Sequence, residues 1–129
     1  MKYFICTILC LLSLLLTANT CDDSDHYQWF DIENVSNETI HLIIESSRSM
    51  TLSEFLLKRE GVKFMVKEKE VFSGGVAKGE TIYIIVYKQS TMDKYSEEEL
   101  LEQNIYDKLY TLSYDDLEKM GFKITYTGE

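Results

Sequence analysis

Few side chains in this 129-residue sequence are equipped for covalent or metal chemistry: three cysteines (Cys6, Cys10, Cys21), two histidines (His26, His41) and 22 carboxylates. Hydrolysis through a nucleophile needs a base beside it and a group that stabilises developing charge. The sequence has no Gly-x-Ser-x-Gly elbow to present such a nucleophile. Zinc needs Cys and His ligands at short, regular spacings, and neither histidine has a spaced partner of that kind. His41 alternates onto the same strand face as Ile43, which suits a packed or rim side chain, while His26 falls in a polar lead-in. The run Gly74-Gly75-Val76-Ala77-Lys78-Gly79-Glu80-Thr81 superficially suggests a phosphate loop, but Glu80 puts a negative charge where phosphate must sit. A hairpin connection is the expected structure there. The acidic stretches from Asp93 to Glu99 and at Asp115, Asp116 and Glu118 lack a calcium-loop spacing, and fit charge at helix N-termini. The expectation is a non-catalytic chain with no metal and no cofactor.

One aromatic feature stands out. Tyr83, Ile85 and Tyr87 share a face of one strand, and Trp29 lies in another. Amphipathic rings of this kind commonly pack under a helix with their hydroxyls at the rim. The functional alternative is a partly open platform of Tyr83, Tyr87 and Trp29 that stacks on a sugar ring or a partner protein. A small enzyme with an unrecognised site stays open beside these binding readings.

The elements that would carry these residues begin after a leader. Lys2 precedes an apolar run over residues 3–16, which as a helix spans about 21 Å, short of the roughly 30 Å of a hydrocarbon core. That is a signal-peptide pattern, so residues 1–20 are expected to be removed, together with Cys6 and Cys10. What remains holds 22 acids against 12 bases, a formal charge of −10, against −9 for the whole chain. Such a balance argues against nucleic acid as a partner, which selects a basic face. Cys21 is left alone and cannot form an intramolecular disulfide.

Residues 28–129 have the length of one small domain. Alternation predicts strands over 29–34, 39–44, 62–66, 105–112 and 122–126, with the first two joined as a hairpin through Val35-Ser36-Asn37-Glu38. Thr81–Lys88 is apolar on both faces and is expected at the centre of a sheet. Short helices are expected after Thr51, Ser96 and Ser113, each followed three residues later by an acid; Gly61 and Gly121 serve as stops and Ser73-Gly74-Gly75 as a turn. The fold class is mostly β or α+β, an antiparallel β-sandwich-like domain with two or three short helices. With no proline in the chain, lysines at 63, 67 and 69 are candidates to blunt a sheet edge.

Two stretches carry a resemblance. The run ending Ala18-Asn19-Thr20-Cys21 resembles a bacterial lipoprotein signal, with Ala18 and Thr20 where that family usually has a larger aliphatic and a Gly, Ala or Ser. The following Asp22-Asp23-Ser24-Asp25 resembles the surface-export signal of lipoproteins from Bacteroides-like bacteria, with Asp22, Asp23 and Asp25 as its acids. Phe30-x-Ile32-x-Asn34 and the tail from Tyr110 through Leu117, Gly121-Phe122 and Tyr126 are similar to small uncharacterised lipoproteins of the same bacteria. The resemblance implies lipid on Cys21, an acidic tether over 21–27, and display on the outer face of the outer membrane. Two or three acyl chains, at about 0.8 kcal/mol per buried methylene, hold such a protein on a membrane. The expected function is an exported, lipid-anchored, non-catalytic domain that binds a protein or glycan partner. An acidic inhibitor or immunity lipoprotein directed at a basic hydrolase is the alternative, since a charge of −10 would steer it to a cationic enzyme.

Overall fold

Alternation in the chain is converted directly into layers. The computed structural model describes residues 26–129; the leader, Cys21, Asp22, Asp23 and Asp25 lie outside the described residues. In β1 (Tyr27–Asn34), Phe30, Ile32 and Asn34 point inward and are buried. β1 pairs antiparallel with β4 (Val71–Ala77) and parallel with β7 (Lys123–Tyr126), giving a three-stranded sheet in the order β4-β1-β7. The second sheet has the order β3-β2-β5-β6, built from β2 (Ile40–Ser47), β3 (Val62–Val66), β5 (Thr81–Lys88) and β6 (Lys108–Ser113), all antiparallel. β5 occupies an interior position there, as its two apolar faces require.

Between the sheets lies an apolar core of Phe30, Ile32, Leu42, Ile82, Ile84, Val86 and Ile124 with their neighbours. The opposite face of the four-stranded sheet is covered by α1 (Leu52–Lys58), whose Phe55 stacks on Tyr83 at 5.4 Å, and by α3 (Glu97–Glu102), which buries Leu100. α2 (Gln89–Lys94) continues from β5, and α4 (Tyr114–Lys119) inserts Leu117 into the inter-sheet core. The three capping boxes read from the sequence form: Thr51 with Glu54, Ser96 with Glu99, and Ser113 with Asp116. Backbone hydrogen bonds from Thr51 and Ser113 hold the Glu54 and Asp116 carboxyls below their ordinary pKa values. α2 adds a fourth helix beyond the two or three expected, because its N-cap Lys88 makes no side-chain cap and leaves no start signal.

Four local expectations are corrected. β4 and β5 belong to different sheets, so residues 74–81 are not the expected hairpin connection. β1 and β2 are not a hairpin; the turn between them carries the chain from one sheet to the other. The reason is Asn34, whose buried side chain donates to the carbonyls of Glu38 and Val66 and accepts from Ser36, so the turn-forming residues knot the two sheets together. Ser73, Gly74 and Gly75 lie within β4 rather than in a turn. The glycines make room for rings: a Cβ on Gly74 would meet the Phe30 ring at 2.8 Å, and one on Gly75 the Tyr27 hydroxyl at 1.7 Å. The last long strand begins at Lys108, because Ile105 and Tyr106 pack instead against the helical layer.

Candidate functional site

The residue that organises the helical layer is Arg59. α1 ends at Lys58, and Arg59 takes the left-handed conformation at its C-cap (φ 45°, ψ 36°), with its N–H donating to the Phe55 carbonyl at 2.7 Å. That conformation costs a side-chain-bearing residue on the order of 1–2 kcal/mol, which glycine would avoid. Sequence reading placed the stop at Gly61, which instead packs where a Cβ would lie 2.5 Å from the Ile44 carbonyl oxygen.

The Arg59 side chain is only 7 % exposed. Its Nη1 donates to the Tyr87 hydroxyl and to the carbonyls of Leu100 (2.8 Å) and Ile105 (2.9 Å); Nη2 donates to Asn104 Oδ1 at 2.6 Å. The rings of Tyr87 and Tyr106 lie 6.0 and 5.9 Å from the guanidinium carbon. Every one of these acceptors is neutral, and the buried Nε has no hydrogen-bond partner. A buried charge ordinarily has an opposite charge beside it. Among the described residues Arg59 has none.

Arg59 lines a cleft of about 230 Å³ on the helical side of the four-stranded sheet. Buried Arg59, Tyr87 and Leu100 form its floor. Ile43, Met92 and Leu101 supply apolar walls, and Lys58 and Lys63 stand exposed at the rim with Glu97 as the one acid. His41 lines one side, half-buried, with Nε2–H donating to Gln89 Oε1 at 2.6 Å. Burial pushes the Tyr87 phenol up, against the opposing pull of Arg59, so the ring enters the cleft as a neutral hydroxyl. Serine and cysteine are missing from the lining. The arrangement is suited to holding an anion.

The three aromatic candidates do not form one face. Tyr83 and Tyr87 are 5 % and 4 % exposed beneath the helical layer, with the Tyr83 hydroxyl donating to the Met50 carbonyl at 2.7 Å. They are the floor of a packed layer, as amphipathic rings under a helix tend to be. Trp29 is 62 % exposed on the other sheet, edge-on to Tyr27 at 5.7 Å. A further hollow of about 270 Å³ opens between the sheets, where Phe64 and Phe72 meet at 4.2 Å; it has no cationic side chain.

Sequence reading singled out Tyr87 as a binding candidate, gave His41 a packed or rim role and Lys63 a sheet-edge role, and missed Arg59, Lys58 and Asn104. An arginine just after a helix-ending lysine looks like ordinary charge complementing the helix dipole, and no local pattern signals that it turns inward. Among the described residues no group of three or more His, Cys, Asp or Glu is placed to hold a metal, and no helix is long and apolar enough to cross a membrane. No protein-family model, curated protein or solved structure matches the chain.

Proposed function

We propose that this chain is an exported, lipid-anchored, non-catalytic binding domain, and that its binding site is the cleft over Arg59. The observation that carries the binding role is a buried guanidinium without a counter-charge, lining a cleft that offers no serine or cysteine nucleophile. A protein or glycan partner is then a macromolecule that presents a small anionic group to this cleft, and the exposed Tyr27 and Trp29 pair lies on the other sheet, away from it. The anchoring role rests on the apolar leader, the lone Cys21 and the acids that follow it.

Anchoring is tested by metabolic labelling with an alkyne palmitate analogue in wild type and Cys21→Ala. Label in the wild type alone is expected, and equal labelling of both removes the anchor from the proposal. The binding role is tested with the full chain in detergent micelles, titrated with mixed neutral and charged fragments while amide resonances are followed. Perturbations should converge on Leu42, Tyr87 and Leu100; perturbations confined to other surfaces would show that the cleft is not the site.

A further inference from the structure

We infer that the cleft takes a carboxylate carried on a small apolar body, an inference that rests on the cleft being the binding site. Three features of the lining point to this ligand class.

The first is charge. The chain is acidic overall, at −9, yet three of its 13 basic side chains, Lys58, Arg59 and Lys63, line this one cleft against the single acid Glu97. A positive recess in a negative molecule gathers small anions that the rest of the surface repels.

The second is the unsatisfied donor. A guanidinium has five N–H groups in a rigid fork. Nη1 is filled by Tyr87, Leu100 and Ile105, and Nη2 has one bond to Asn104. Nε–H has none, although it is buried. An unmade hydrogen bond from a buried charged donor costs more than one from a neutral donor. An acceptor arriving in the cleft is the partner the guanidinium lacks. A planar carboxylate, with two oxygens, matches the arginine fork.

The third is the wall. Ile43, Met92 and Leu101 offer apolar contact beside the cationic end, so the ligand has an apolar body. The cleft, about 230 Å³, lies below the roughly 300–1,000 Å³ typical of sites for drug-sized molecules, which limits that body to a ring or a short chain.

The test uses the full chain in detergent micelles and three probes: 3-phenylpropanoate, its neutral amide 3-phenylpropanamide, and inorganic phosphate. The Arg59 Nε–H resonance and the Tyr87 and Leu100 amides report occupancy. The acid should move all three and bind about tenfold more tightly than the amide, the equivalent of about 1.4 kcal/mol. Phosphate should bind more weakly than the acid. Lys63→Gln, on the exposed edge strand, should weaken the acid about threefold and leave the amide unchanged, because a solvated rim charge contributes little. Equal binding of acid and amide overturns the carboxylate and leaves the cleft standing as a binding site. Phosphate binding as tightly as the acid overturns the apolar body. No probe moving the cleft resonances overturns this inference and the binding role together.

Discussion

The two faces of the sheet β3-β2-β5-β6 are made by the same strands and have opposite characters. Toward the other sheet, Ile82, Ile84 and Val86 of β5 meet Phe30, Ile32 and Ile124, and the layer is closed and apolar. Toward the helices, Tyr83, Ile85 and Tyr87 of the same strand meet Phe55 and Leu100, with a charged side chain set among them and a cleft left open. One face supplies stability through burial. The other gives up part of that burial to keep polar groups in fixed positions, as a site built on a rigid sheet does.

The contrast can be broken first where it is largest. Ile84→Ala opens a cavity in the closed layer, where Ile84 is fully buried, and should cost about 2–5 kcal/mol in denaturant unfolding. A loss under 1 kcal/mol would mean that the inter-sheet layer is not tightly packed. Arg59→Met acts on the open face. It strips the donor from Leu100, Ile105, Asn104 and Tyr87 but also removes an uncompensated buried charge, so a smaller loss of about 1–3 kcal/mol is expected by the same measurement. Stabilisation by Arg59→Met would show that the charge costs more than its hydrogen bonds return, which would widen the contrast between the faces.

The smallest effect sharpens it. Among the described residues Tyr126 carries the one buried hydroxyl without a hydrogen-bond partner, and burial pushes its pKa up to about 12 from the ordinary 10.0. Tyr126→Phe should therefore change stability by no more than about 1 kcal/mol at neutral pH, in the stabilising direction. A folded pKa above the unfolded one contributes stability that is complete below pH 10 and lost as pH rises through 12. Wild type should lose more stability than Tyr126→Phe over that interval, and identical alkaline unfolding curves would count against a buried phenol.

The parts of this molecule that were legible in the sequence obey local rules. Capping boxes announce three helices because a serine or threonine and an acid three residues on satisfy each other's backbone donors. β5 announced its interior position because no other placement buries both of its faces. What escaped depends on partners distant in the chain. Gly74 and Gly75 read as a turn because glycine usually punctuates, whereas here the rings of Phe30 and Tyr27 occupy the space their side chains would need. Asn34 read as the end of a strand and Ser36 as hairpin chemistry, but the carbonyl that decides the matter belongs to Val66. The cleft was illegible for the same reason: Arg59 meets Tyr87, Leu100, Asn104 and Ile105, all at least 28 residues away.

The parallel pairing of β1 with β7 has a consequence for how the domain comes into being. Asp31 lies opposite Lys123 and Asn34 opposite Tyr126, so the middle strand of that sheet gains its second neighbour from the far end of the chain. Contacts so distant in sequence form late, after the loops between them have been closed against entropy. The three-stranded sheet cannot be completed until Tyr126 has been synthesised. Until then β1 has only β4 beside it, and its other edge stays open to pairing with a strand of another chain.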